Sequence, residues 1–248
     1  MRERIKALLF PPKCVACGVL LDWYEAPHRD TPFCDACRKK WKSEQMETCG
    51  YCTKRVTQCE CMPEALKKAG CRGFRKLTYY LHGRRDPVQN RIVFLLKEKR
   101  DHRTAAFVAR ELWHAMEEMM KDGGYRPEEV AIAWLPRSRR AKAKYGVDQS
   151  ELLAKALSRA SGIPCMRLLA RRLKPVKEQK MLSMTARLQN AKDSFRLTRA
   201  AKACPRVVFL VDDVITTGAS TAACVRLLRR AGAKRVYCLA IASDDANR

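Results

Sequence analysis

Eight of the thirteen cysteines in this 248-residue chain form four close pairs within residues 14–61. They are Cys14 with Cys17, Cys34 with Cys37, Cys49 with Cys52, and Cys59 with Cys61. A Cys-x-x-Cys turn points two thiolates at one ion about 2.3 Å away, and two such turns complete a tetrahedral site. Four soft thiolates suit zinc best, with iron as the chemical substitute. Disulfides are the competing use, but no export signal places these thiols in an oxidising compartment. A redox motif would need one pair, not four. Taken in order, the pairs predict one zinc at Cys14, Cys17, Cys34 and Cys37 and a second at Cys49, Cys52, Cys59 and Cys61; interleaved pairing is also geometrically open. Gly18 and Gly50 are expected to form the tight knuckles. His28 is read as a loop residue.

A second concentration of chemistry lies at residues 207–221. An apolar run, Val207 to Val211, delivers two adjacent carboxylates, Asp212 and Asp213, followed by Val214, Ile215 and the small residues Thr216, Thr217, Gly218, Ala219 and Ser220. A hydroxyl- and glycine-rich turn opening a helix exposes backbone N–H groups where the helix dipole also favours an anion. The aspartates beside it are acceptors suited to sugar hydroxyls or a hydrated magnesium ion. A ribose 5-phosphate would satisfy both halves. The segment has neither the Gly-Lys-Ser/Thr of a Walker A loop nor a GxGxxG fingerprint.

The elements that must position these residues follow from periodicity. Residues 73–80 read as an edge strand, 91–99 and 103–121 as helices, and 130–135, 207–211 and 236–242 as buried strands. Helices are expected over 149–160 and 221–231, each leading toward a glycine, Gly162 or Gly232. Strand, loop, helix, strand in this order implies an α/β fold, an open, mostly parallel sheet with helices on both faces. Ligands in such sheets sit beyond the carboxyl ends of the strands, which singles out the loops after Leu135 and Val211.

Charge bounds the partners. Lys and Arg total 51 against 26 Asp and Glu, a formal net charge of +25, of which residues 71–248 carry +21. Such a field favours polyanions. At 47% hydrophobic content the chain is not a disordered tail, and no apolar run approaches the roughly 20 residues of a membrane helix. A soluble, unexported, cytoplasmic protein is expected. Two segments concentrate cations: Arg137, Arg139, Arg140, Lys142 and Lys144, then Arg167, Arg171, Arg172, Lys174, Lys177 and Lys180. A pyrophosphate accounts for two or three of these. The rest form a solvated surface or a track for single-stranded DNA, bound without sequence preference. Trp134 and Tyr145 flank the first segment and could stack bases, although Trp134 in a strand is expected to be buried. Cys165, Cys204, Cys224 and Cys238 lack a sequence-near partner and read as buried thiols.

Residues 211–220 resemble the phosphoribosyl-pyrophosphate (PRPP) motif of type I phosphoribosyltransferases. More of the chain resembles the ComF family, bacterial proteins associated with competence for DNA uptake, in which a double zinc ribbon precedes such a domain. The likeness includes Leu8-Leu9-Phe10-Pro11-Pro12-Lys13-Cys14, Leu95-Leu96-Lys97, Leu135 to Arg140, Tyr145-Gly146, Gln149-Ser150-Glu151-Leu152-Leu153-Ala154, and Gln179, Leu182, Arg187, Asn190 and Phe195.

The resemblance implies a ribbon over 1–70 and a phosphoribosyltransferase-like domain over 71–248. It implies that Asp212 and Asp213 hold the ribose as catalytic residues, that Thr216, Thr217, Gly218, Ala219 and Ser220 bind the 5-phosphate, and that Pro136, Arg137, Ser138, Arg139 and Arg140 face pyrophosphate. Residues 171–187 would be a closing loop, and magnesium would accompany PRPP. Departures from the family pattern are Val147-Asp148 for Phe-Asn, Ser220 for threonine, and Lys174 to Lys177 where a threonine is common. Two functions fit: phosphoribosyl transfer to an unidentified acceptor, or a non-catalytic single-stranded DNA-binding competence protein whose pocket is regulatory. The DNA candidates are Arg137, Arg139, Arg140, Lys142, Lys144, Arg171, Arg172, Lys174, Lys177 and Lys180.

Overall fold

The computed structural model describes residues 11–21, 31–83, 87–98, 101–138, 142–143, 146, 148–172 and 194–244. Its centre is a four-stranded sheet in the order β1 (Gly73–Tyr79), β6 (Arg235–Ser243), β5 (Val207–Ile215), β2 (Val130–Trp134), and every pairing is parallel. Alternate residues along each strand point to opposite faces. Ile132, Phe209, Val211, Leu239 and Ile241 enter one core with α3 (Val88–Glu98), α4 (His102–Gly123) and α5 (Gln149–Ser161). Ala133, Val208, Leu210, Cys238 and Ala240 enter the other with α2 (Glu64–Ala69) and α6 (Ala219–Arg230). This is the expected open parallel sheet with helices on both faces.

Helix ends follow their local chemistry. Asp101 caps α4, its carboxylate accepting from the backbone N–H of Arg103 at 3.1 Å and Thr104 at 3.3 Å. Gly124 closes it at φ 62°. The apolar stripe Phe107, Val108, Leu112, Met116 and Met120 is buried, as its spacing predicts.

One boundary shift matters for function. The strand expected over 207–211 runs on to Ile215, so Asp212 and Asp213 lie within β5, not in a loop after it. Beyond Val211 the strand loses one neighbour: β2 ends at the Trp134–Val211 pair, while β6 continues to pair through Ile215–Ser243. The carboxylates therefore emerge where β2 peels away. Pairing with β6 alone sustains β5 there, a tertiary effect invisible to local patterning.

The cysteine-rich segment contains two helices that its sequence did not announce, α1 (Asp35–Met46) and α2. It is packed into the rest of the fold. Phe33 meets Phe107 of α4 edge to face at 5.4 Å between ring centroids, and Trp41 of α1 meets the same ring at 6.1 Å. The 3-10 turn Val56–Gln58 packs on β1, and every residue of that edge strand is buried. An uncovered edge would expose unpaired backbone groups, so this cover protects the sheet. A short antiparallel pair, β3 (Leu169–Arg171) with β4 (Phe195–Leu197), was also unforeseen, since three-residue strands carry no readable period.

Candidate functional site

The two aspartates at the end of β5 are held from α5. Ser150 donates its hydroxyl to Asp212 Oδ1 at 3.0 Å, and the same oxygen accepts the backbone N–H of Asp213 at 2.9 Å. Gln149 Nε2 donates to Asp213 Oδ2, and Lys97 Nζ of α3 stands 3.7 Å from that oxygen. Burial, and next the neighbouring Asp213 carboxylate, push the Asp212 carboxyl well above its ordinary range. A buried carboxylate beside another calls for a cation or donor hydroxyls.

These groups line a cavity of about 450 Å³ at the carboxyl end of the sheet, within the size range of small-ligand sites. Its other walls include Tyr80, Pro136, Arg137, Ser138 and Arg171, together with Thr216, Thr217, Gly218, Ala219 and Ser220. The sequence-predicted carboxylates and hydroxyl turn thus share one cavity with the described part of the expected pyrophosphate loop. Arg139 and Arg140 lie outside the described residues.

The turn that opens α6 is tightly specified. Gly218 adopts φ 72°, and a Cβ there would stand 3.1 Å from Pro63 Cβ and 3.2 Å from Leu66 Cγ. Only glycine fits both the left-handed backbone and the contact with α2. Thr217 Oγ1 accepts from the Ala219 N–H at 3.5 Å. The first turn of a helix leaves N–H groups without intrahelical partners, and here that turn borders the cavity.

Asp148 ties the start of α5 to Arg137, one of the cavity's lining residues. Its carboxylate caps α5 by accepting the Glu151 N–H at 3.4 Å, accepts the Arg137 N–H at 3.1 Å, and pairs with Lys142 at 2.9 Å. Lys142 also reaches Glu151 at 3.3 Å. Arg171 of β3 donates through Nε to the Pro136 carbonyl at 3.3 Å and lies over the Phe195 ring at 4.7 Å. Arg172 Nε donates to the Phe195 carbonyl at 3.1 Å. The expected closing loop beyond residue 172, with Lys174, Lys177 and Lys180, falls outside the described residues, as do Lys144, Tyr145, Val147 and His28.

The sequence names Lys97, Gln149 and Ser150 only within the family resemblance and Asp148 only as a departure from it, and assigns none of the four a role in the site. The signal was present: Asp148-x-x-Glu151 ahead of an apolar run marks a helix start. A helix returning from the β2 loop sets its first turn beside the carboxyl ends of the strands.

The thiols assemble in sequential order. Cys14, Cys17, Cys34 and Cys37 form one group and Cys49, Cys52, Cys59 and Cys61 another, with all sulfurs in each within 4.8 Å of one another. The Cys17 and Cys34 sulfurs are 3.7 Å apart, close to the about 3.8 Å edge of a tetrahedron with 2.3 Å bonds. The donor set fits zinc, and either group could hold one ion. Within each group the thiols diverge. Although burial opposes it, backbone N–H groups lower Cys14 to about 7 and Cys49 to about 6, while burial, then neighbouring thiols, raise Cys61 to about 12. Crowded thiolates cannot all ionise without a cation. Gly18 supplies the left-handed turn of the first knuckle at φ 77°; in the second, Thr53 at φ 57° takes that part in place of Gly50.

Two smaller expectations resolve differently. Trp134 is buried, as expected. Of the four thiols expected to be buried, Cys224 and Cys238 are, whereas Cys165 and Cys204 are half-buried; Cys238 also has a partner, the Cys71 sulfur 3.5 Å away, because β1 and β6 are neighbours.

Over 155 residues the chain is 32% identical to the DNA utilization protein YhgH of Salmonella typhi, covering 62% of this chain and 67% of that protein. The chain belongs to the ComF family. This ComF-family chain is also 39% identical, over 92 residues, to competence protein F of Haemophilus influenzae; that alignment covers 37% of this chain and 40% of the relative. A 110-residue stretch is 34% identical to the Escherichia coli YhgH, spanning 48% of it. No family model matches the chain. A solved allosteric regulatory enzyme of purine biosynthesis aligns at TM-score 0.35 and 19% identity, covering 56% of this chain and 26% of that one. Among the described residues, no helix is long and apolar enough to cross a membrane.

Proposed function

We propose that this ComF-family chain binds PRPP with magnesium in the crevice beside β5 and transfers its phosphoribosyl group to an acceptor. One observation carries the reading: Asp212 and Asp213, held by Ser150 and Gln149, share a cavity with the turn from Thr216 to Ser220. The carboxylates suit the ribose hydroxyls, and the turn suits the 5-phosphate. Arg137 and Arg171, which line the same cavity, suit a pyrophosphate. Magnesium would add positive charge at the pyrophosphate oxygens. In transfer, the bond from the anomeric carbon to pyrophosphate breaks as the acceptor's nucleophile bonds to that carbon, and the departing oxygen keeps the bonding electrons. The chain's part is orientation and charge stabilisation. In this reading residues 71–248 form the transferase-like domain and residues 1–70 a ribbon holding two zinc ions.

Pyrophosphate release from PRPP, measured across a panel of nucleobase and amine acceptors, tests transfer. Release with at least one acceptor, lost in Asp212→Asn with Asp213→Asn, is expected. Silence across the panel would remove the transferase and leave a PRPP-binding protein.

A second reading, single-stranded DNA binding, is supported by the net charge of +25 and by relatives named for competence and DNA utilization. Within the first cation segment, Lys142 is committed to Asp148 and Glu151. Exposed cations gather at the opposite end of the sheet, where Arg72, Arg206, Lys234 and Arg235 precede or begin strands and Arg229 and Arg230 end α6. Backbone hydrogen bonds from Lys234 and Arg235 to the Arg206 carbonyl, at 2.8 and 2.9 Å, and from Arg72 to Val236, at 2.7 Å, make them neighbours. Binding there should weaken steeply with salt. Affinity unchanged by Arg229→Glu with Arg230→Glu would exclude this face, and affinity unchanged by reversal at Arg137 and Lys142 would exclude the first segment.

A further inference from the structure

Lys76, in the middle of β1, is 2% exposed. Among the described residues no carboxylate pairs with it. Its Nζ instead lies 3.3 Å from Cys59 Sγ and 3.5 Å from the Cys61 carbonyl, with the Phe74 and Tyr79 rings 5.2 and 5.3 Å away. An ammonium buried without an anion is strongly destabilising. The group that faces this lysine is a cysteine sulfur of the second cysteine group, which becomes an anion when the thiol gives up its proton to a metal ion.

The charge balance runs the other way as well. Four thiolates around a dication carry a net −2, and Cys49 and Cys59 are 3% and 0% exposed. Cys52 and Cys61 are half-buried, so solvent screens only part of this charge, and compensation from outside the ligand set stabilises the buried half. We propose that Lys76 is a component of the second metal site: it donates to the Cys59 thiolate, offsets one of the two negative charges, and fastens the metal module to the sheet edge. The site is then built jointly by residues 49–61 and by a strand of the α/β domain. Lys76 is a positioning residue, not a ligand, because its protonated amine has no lone pair to give. Outer partners of this kind orient and tune metal ligands, and losing one typically lowers affinity about 10- to 100-fold.

The inference stands apart from the PRPP reading and is tested without it. Full-length protein loaded with zinc is challenged with a chromogenic chelator, and maleimide labelling maps which cysteines become free. Lys76→Met should release one equivalent about 10- to 100-fold faster, with Cys59 and Cys61 labelled early and Cys14 and Cys17 protected as in the parent chain. In the cobalt-substituted protein the same variant should shift the thiolate-to-cobalt charge-transfer bands to lower energy, since a thiolate without its cation gives up an electron more easily. Lys76→Gln, neutral but polar, serves if the methionine variant does not fold, and it should behave the same way. Unchanged release and unchanged bands in a folded variant, or equal acceleration at both groups, would overturn the assignment.

Discussion

Ser150, in the first turn of α5, donates to Asp212 Oδ1 across 3.0 Å and so ties the helix to the carboxyl end of β5. The contact gives a buried carboxylate its side-chain donor. It predicts that Ser150→Ala leaves the fold intact and weakens Mg–PRPP binding by about tenfold or more, the scale of a lost hydrogen bond to a charged group. Equal affinity in the variant, read by titration calorimetry, would detach α5 from the site.

Asp212 is predicted to trade stability for binding. Burial, then Asp213, raises its carboxyl above the ordinary 3.8, so between that value and its folded value the native state holds a proton that the unfolded chain has lost. Stability from this group is full below 3.8 and declines as pH rises through the folded value. Asp212→Asn should therefore raise Tm at pH 7 and flatten the decline, while abolishing Mg–PRPP binding. A lower Tm in the variant at pH 7 would contradict this sign.

Gly218→Ala should cost about 1–2 kcal/mol of stability from its left-handed backbone alone. The new methyl would press on Pro63 and Leu66 and disturb the turn, so phosphate affinity should fall as well. Thermal melts and inorganic phosphate titration read the two effects separately. An unchanged melt would mean that the turn tolerates a Cβ.

The cysteine groups predict two zinc equivalents per chain. Cys34→Ser should lose one and Cys59→Ser the other. Each loss should lower Tm, since Phe33 and Trp41 pack on Phe107 beside the first group and the turn Val56–Gln58 covers β1 beside the second. Metal analysis that finds fewer than two equivalents in the parent chain, or both lost in either variant, would contradict sequential pairing.

Much of this is legible in the sequence. Spacing paired the thiols because a Cys-x-x-Cys turn is a local device, while which pairs share a site stays open in the sequence and is answered by the fold. The apolar runs located every strand of the main sheet because both faces of that sheet are buried. What stayed hidden was non-local. β5 extends past Val211 only because β6 accompanies it. Gln149 and Ser150 become site residues only because α5 folds back beside β5. Pairing of Cys71 with Cys238, and of Lys76 with Cys59, joins residues 167 and 17 positions apart. No window along the chain contains those relationships, and the sheet creates them.

A phosphorylated pentose is expected to fit between the acidic doublet and the hydroxyl turn. Isothermal titration of the zinc-loaded chain with PRPP and magnesium tests this without knowledge of the acceptor. One site per chain, with heat lost in Asp212→Asn with Asp213→Asn and reduced when inorganic phosphate competes, is the predicted result. Absence of binding heat at several temperatures, or unaltered binding in the double variant, would contradict it.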